Sequence, residues 1–284
     1  VTLPTPIQPG IYFDVPDAEY RQAPGVSQTA LKNMDRSIAH YEEANRNPEA
    51  PTRPMRIGHI SHSLLLTPNA PQDWAVAPPG HDGRTKAGQA WAKANQGKLH
   101  ISDKERRTIQ GAVAAAKAHP ILSLAMDGAA YEVSIFSAFA GIMIKKGRLD
   151  ITTSGPAISD CKFVEDAREY EFAGLAAAMG YYIQAAFYID LYNENLPHGE
   201  EPKTKFCFFA IEKNPPYAIN VFDLHPDDIR RGRATYLRYL DALAGSVATG
   251  DNSPYHNGSA YSRSMKTLSL PYNVRKRIDE TILC

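Results

Sequence analysis

Three charged side chains that are close in sequence could perform metal-assisted hydrolysis: Asp150, Asp160 and Lys162, carried by the stretch GRLDITTSGPAISDCK from Gly147 to Lys162. Charges inside runs otherwise suited to a core are costly unless something pairs with them, so they mark a candidate site. The residues TTSGP (152–156) separate two short apolar runs of similar length, which predicts a hairpin. Side chains alternate along a strand, so Asp160 and Lys162 share a face. With the turn centred near Ser154, Asp150 falls about one pleat from Asp160, a diagonal pair roughly 7–8 Å apart. Two carboxylates so placed can share a hard divalent cation such as Mg²⁺, which takes oxygen ligands and often uses only one or two carboxylates beside water and phosphate. Lys162 could then hold or help deprotonate an attacking water, or neutralise charge at phosphorus. The simpler alternative is that the aspartates merely end their strands and one of them pairs with Lys162 or Arg148.

The hairpin needs a sheet to hold it. YEVSIFSAFA (131–140), IMIKKGRLDI (142–151) and AISDCKF (157–163) are rich in β-branched and aromatic residues and are punctuated by Gly, Ser or Pro, predicting three consecutive antiparallel strands. From about Asp166 through Asn195 the apolar residues Phe172, Leu175, Met179, Ile183 and Phe187 recur at helical spacing, predicting one long helix with Met179 in the core, as Met143 is on its strand. KFCFFAIEK (205–213) and YAINVFDL (217–224) predict two further strands, and a helix follows from about Pro226 to Leu243. Upstream, Ser27 caps a predicted helix over residues 28–44, Thr52 precedes another with Pro54 in its first turn, and Ser102 with Glu105 forms a capping box for a helix running to about His119. The order predicts an α/β (α+β) layer fold with a central mixed sheet. The chain reads as one domain over 1–284, with a helical N-terminal part (about 1–127), a sheet-bearing core (about 128–245) and a C-terminal tail.

Composition restricts the rest. The 284 residues include 31 basic and 31 acidic side chains, so any polyanion must be met by local patches. Three such clusters stand out: Lys145-Lys146-Gly147-Arg148, Arg230-Arg231-Gly232-Arg233 and Arg275-Lys276-Arg277. Each suits either phosphate contact or a solvated surface. No apolar run approaches the roughly 18 residues that cross a bilayer, and the start has no signal-peptide pattern, which predicts a cytoplasmic protein with no membrane partner. Cys161, Cys207 and Cys284 lie far apart, which excludes a zinc ribbon or a four-cysteine iron–sulfur site built by this chain alone.

Several segments in order resemble the PD-(D/E)XK nuclease superfamily, and within it the exonuclease VIII (RecE-type) exonucleases. They are VSQTALKNMDRSIAHY (26–41), MRIGHISHSLLLTP (55–68) with Gly58 and His62, HDGRTKAGQAW (81–91), Glu132, KKGRLD ending at Asp150, SDCK carrying Asp160 and Lys162, and GYYIQAAFYID (180–190) with Gln184 and Tyr188. The resemblance implies that His62, Asp150 and Asp160 are metal ligands, with the main-chain carbonyl of Cys161 as a fourth, and that Lys162 serves the nucleophilic water. It places Glu132 near the same metal or orienting a water, and Gln184 and Tyr188 along the active-site or DNA groove. Ser27 and Arg84-Thr85-Lys86 would be structural or contact DNA phosphate. The acidic residue before Lys162 is Asp rather than the commoner Glu, and Tyr255 stands in the tail (251–277) where the family often has tryptophan.

The implied activity is Mg²⁺-dependent exonucleolytic degradation of linear double-stranded DNA, with Mn²⁺ able to substitute. By the same resemblance it would run from the 5′ end, leave 3′ tails for a single-strand annealing protein, and use a ring-shaped homo-oligomer in a phage or prophage setting. A restriction-like or structure-specific endonuclease and a non-catalytic DNA-binding subunit are the alternatives.

Overall fold

The computed structural model describes residues 2–141, 143–196, 198–253, 268–269, 271–272 and 274–276. Tyr255, Arg277, Cys284 and most of the tail segment lie outside the described residues. The elements in order are β1 (Gly10–Tyr12), α1 (Asp17–Gln22), β2 (Val26–Ser27), α2 (Gln28–Leu31), a 3₁₀ turn (Lys32–Asp35), α3 (Ile38–Arg46) and α4 (Arg53–Leu66). Next come β3 (Trp74–Val76), α5 (Lys86–Ala94), β4 (Leu99–Ile101), α6 (Asp103–Ala118), α7 (Pro120–Met126), β5 (Ala130–Phe139), β6 (Met143–Thr152) and β7 (Ala157–Val164). The chain continues with α8 (Glu169–Met179), α9 (Tyr181–Asn193), β8 (Lys205–Glu212), β9 (Ile219–Asp223) and α10 (Pro226–Thr249).

The predicted meander forms as β5, β6 and β7, and the sheet extends in the order β1-β5-β6-β7-β8-β9. Pairing is antiparallel except between β7 and β8, and β2 adds in parallel to β6, so the sheet is mixed. One face is covered by α9 and α10, where Phe187, Leu191, Tyr236 and Leu240 are buried with Leu149, Phe206 and Phe208. The other face is covered by α4 and α6, where Ile60, Leu65, Ile109 and Ala116 pack on Ile151, Cys161, Phe209 and Ile211. A central strand buried on both faces explains the near-continuous apolar run of β8.

The N-terminal part is less purely helical than its sequence suggests. It contributes β1 and β2 to the main sheet and makes a small parallel pair, β3 with β4. These strands are two or three residues long, too short for periodicity to register. The helix predicted over 28–44 is interrupted by the 3₁₀ turn, and α3 restarts at Ser37, whose hydroxyl accepts from the His40 N–H. The capping box at Ser102 forms with both of its hydrogen bonds.

The long helix of 166–195 is in fact two, bent by 68° at Gly180, which adopts a left-handed φ of +64°. A hydrophobic pattern continues straight through such a break, because both helices bury apolar residues. Met179, at the break, is 45% exposed and not in the core, whereas Met143 does pack against it. Helix α10 runs past Leu243 to Thr249. Among the described residues no single helix is long and apolar enough to cross a membrane.

Candidate metal centre and active site

The site lies where two strands part. β6 and β7 pair only at Ile151 with Ser159 and Thr152 with Ile158, next to their turn. Continuing that register by one position puts Asp150 directly opposite Asp160, rather than on the diagonal expected from a turn centred at Ser154. The ladder stops before this pair. The Asp150 carboxylate replaces it, accepting the Cys161 N–H at 2.9 Å through Oδ2. The Lys203 amine, buried beneath the turn, donates to the carbonyls of Thr153 and Gly155 and so fixes the turn that sets this register.

Beside Asp150 stand Glu132 from β5 and His62 from α4. His62 Nε2 is 2.6 Å from Asp150 Oδ2, and its Nδ1 is 3.0 Å from Glu132 Oε1. Ligand atoms of His62, Glu132 and Asp150 all fall within 4.8 Å of one another. Glu132 has a left-handed φ of +49°, and it drops out of a ladder that pairs Tyr131 with Ile151 and Val133 with Leu149. Backbone strain of this kind, in a residue with a side chain, accumulates at functional sites. Arg148 holds the second oxygen of Glu132, donating through Nε at 2.6 Å, and its guanidinium lies over the Tyr20 ring.

Asp160 belongs to an adjoining group. Its Oδ2 is 2.7 Å from Lys162 Nζ, and its Oδ1 accepts from Gln184 Nε2 at 2.5 Å. Lys162 also donates to Gln184 Oε1 at 3.1 Å and sits over the Tyr181 ring, 4.6 Å from its centroid. The close-set trio therefore contains Glu132 in the place the sequence gives to Asp160, because Lys162 and Gln184 draw the Asp160 carboxylate aside.

The electrostatics follow from this crowding. Burial opposes charge on His62, yet Asp150 and Glu132 outweigh it and raise the imidazole pKa well above its usual value, so both ring nitrogens donate. Burial also opposes charge on Asp150, but His62, Lys162 and the Cys161 N–H hold its pKa below the ordinary carboxylate value. Asp160 goes the other way: burial and the Asp150 charge push it up to about 6 despite Lys162. Lys162 is raised in spite of burial by Asp160 and Asp150.

The donor set suits a divalent cation. One imidazole and neighbouring carboxylates are hard donors appropriate to Mg²⁺ or Mn²⁺. Asp160 Oδ2 is buried without a well-directed hydrogen bond, leaving a lone pair unused. The Cys161 thiol does not join them: burial first, then the aspartates, push its pKa well up, so only its main chain is available. Tyr188 is one helical turn from Gln184; its ring packs against Gly147, and its hydroxyl meets the Arg148 main chain, where the charges of Asp160 and Asp150 still reach it.

Other residues singled out by sequence take structural places. Ser27 and Thr85 cap α2 and α5, while Arg84 pairs with Asp82 on the surface. The cluster Lys145-Lys146-Gly147-Arg148 is neither a phosphate-binding surface nor a solvated one. Lys145 is buried against Glu194, Lys146 donates to the carbonyls of Tyr20, Arg21 and Ala23, and Arg148 holds Glu132. Arg230, Arg231 and Arg233 are paired with Asp227, Asp228 and Asp190. Three residues at the site escape sequence reasoning: Arg148 as the partner of Glu132, Tyr181 under Lys162, and Lys32, on which the charges of Lys162 and Asp160 act. Tyr181 reads as one more core aromatic and Lys32 as a solvent-facing helix residue, so no local signal separates them.

Residues 27–264 match the family described as a PDDEXK-like domain of unknown function, DUF3799. The chain belongs to this family. The PDDEXK-like match covers the stretch that carries His62, Glu132, Asp150, Asp160 and Lys162. A crystal structure of a presumed exonuclease from Eubacterium rectale has the same fold, with a TM-score of 0.57 at 15% identity over 93% of this chain and 98% of that one. No curated protein matches the chain significantly. These likenesses support the PD-(D/E)XK superfamily without singling out its RecE-type branch.

Proposed function

We propose that this PDDEXK-like chain is a divalent-metal-dependent nuclease that hydrolyses phosphodiester bonds in DNA. The observation that carries the reading is the convergence of His62, Glu132 and Asp150 within 4.8 Å, beside the Asp160–Lys162 pair. A buried acidic set with its own lysine suits a reaction in which negative charge builds on a phosphoryl group. His62, Glu132, Asp150 and Asp160 would hold the cation, with the Cys161 carbonyl as a further donor. When bound, the cation supplies Lewis acidity toward a phosphoryl oxygen and toward water.

The chain's own groups do the rest. Lys162, kept cationic by the two aspartates, offsets charge at the phosphoryl group and orients water along the β7 face. Gln184 fixes both Lys162 and Asp160, so the lysine approaches substrate from one direction. Arg148 fixes Glu132 in turn. Tyr188 would support the helix that lines the groove.

Within this class, the resemblance to exonuclease VIII and the name of the Eubacterium rectale protein favour an exonuclease acting on linear duplex ends. We assign it the 5′→3′ direction, 3′ tails passed to a single-strand annealing protein, a ring-shaped homo-oligomer and the cytoplasm of a phage-bearing bacterium. The test is digestion of end-labelled linear duplex beside covalently closed circular DNA, with Mg²⁺ and with EDTA, for wild type and Asp160→Ala. The expected result is loss of the linear form alone, only with Mg²⁺ and only for wild type, with 5′ label released first. Cutting of the circle would make it an endonuclease, and cutting of neither would make it a DNA-binding subunit.

A further inference from the structure

Lys32 has no role in the site as described. It opens the 3₁₀ turn after α2, half-buried, with its stem laid over the bend between α8 and α9. A Cβ placed on Gly180 would meet Lys32 Cε at 3.4 Å and Cδ at 3.7 Å. From there the amine is close enough to Lys162 and Asp160 to feel both charges. Lys162 lies over the ring of Tyr181, the residue that follows Gly180.

Lys32 also lacks a counterion. Among the described residues its side chain makes no hydrogen bond, ion pair or ring contact. Asp160, the acid whose charge acts on it, is taken up by Lys162 and Gln184. Asp35 of the same turn accepts from the Tyr239 hydroxyl instead. A half-buried ammonium beside a like charge is costly to the folded chain, and burial with the Lys162 charge lowers its pKa to about 8. Natural structures keep such a cation where an anion completes the arrangement.

We propose that Lys32 binds a second backbone phosphate of the nucleic-acid substrate, next to the one being cleaved. The identity of the anion rests on the nuclease reading. The like charge of Lys162 selects a strand carrying successive phosphates, because one phosphodiester answers each amine. Lys32 thus fixes where the strand lies over Gly180 relative to the reacting group, and takes no part in bond breaking.

The test uses Lys32→Met, which keeps the apolar stem on Gly180, and Lys32→Arg, which keeps the charge. Binding of a short blunt duplex is titrated in EDTA, where nothing is cut, across a salt series. Lys32→Met should bind roughly tenfold more weakly at low salt, and its plot of log affinity against log salt should be shallower by about one unit. Lys32→Arg should stay near wild type. With Mg²⁺, Lys32→Met should raise KM and leave kcat within about twofold, the mark of a contact made equally in ground and transition states. Its melting temperature should equal or exceed that of wild type, since a buried unpaired charge is gone. An unchanged salt slope, a wild type that binds no duplex, or weaker binding that accompanies a lower melting temperature in both variants would overturn the assignment. A wild type that binds DNA in this way but never cuts it would instead refute the nuclease reading and leave Lys32 as a phosphate ligand.

Discussion

On the proposed reading a metal ion competes with the proton on His62, and this makes pH a probe of single residues. A folded-state pKa raised above the unfolded one contributes stability that is complete below the unfolded value, near 6.5 for histidine, and disappears as pH rises through the folded value. His62 is raised in this way. Asp160, raised to about 6, acts in the same direction as its carboxyl ionises. The depressed pKa of Asp150 works oppositely, but its stabilisation is lost only below about pH 4. Metal-free protein should therefore melt at lower temperature as pH rises from about 5 to 8. The stabilisation by Mg²⁺ should grow over the same range, because the ion competes with the His62 proton. Scanning calorimetry with and without Mg²⁺ checks both, and a His62→Asn variant should flatten the Mg²⁺ trend. For Lys162→Met we expect cleavage to fall by a factor on the order of 10² to 10³ while duplex binding in EDTA persists. Joint loss of both would move Lys162 from chemistry to folding.

Two glycines bear on how elements present these residues. Gly147 lets α9 lie directly on β6: a Cβ there would meet Leu191 Cδ2 at 2.7 Å and Tyr188 Cε1 at 3.0 Å. Gly147→Ala should cost about 1–3 kcal/mol by overpacking, read from chemical denaturation, and should loosen Gln184 with the helix. Gly58 is different. It lies one turn before His62 on α4, and nothing in the structure comes within 4 Å of its missing Cβ. Gly58→Ala should stabilise the helix by up to about 1 kcal/mol on propensity alone. If DNA crosses this helix at the metal site, the same variant should raise KM, and a more stable protein with unchanged kinetics would direct the strand elsewhere.

At the scale of the molecule, the sheet-forming half of the fold was legible because its strands are long, β-rich and separated by clear turns. The acid pair Asp150 and Asp160 could be found because both fall in one hairpin, although placing its turn one residue early made a direct pair look diagonal. Glu132 as an immediate neighbour of His62 could be reached only through resemblance, since its position depends on a strained backbone within β5. The short strands β1 and β2, the break at Gly180 and the internal role of Lys145, Lys146 and Arg148 were not legible. Each depends on what a residue meets far away in sequence: Glu194 for Lys145, Glu132 for Arg148. A run of like charges reads as surface until those partners are known.

His62 reaches Asp150 across 88 positions of chain, whereas Asp150 and Asp160 share a hairpin. An ion held by these side chains would therefore be a crosslink, closing a large loop as a disulfide would and removing chain entropy that grows with the logarithm of loop length. Its mechanical effect would fall on the docking of α4 more than on the hairpin. Amide hydrogen exchange with and without Mg²⁺ should show this: protection should rise over residues 53–66 and change little over 143–164, which would make the N-terminal helices the part of the molecule that chelation releases first.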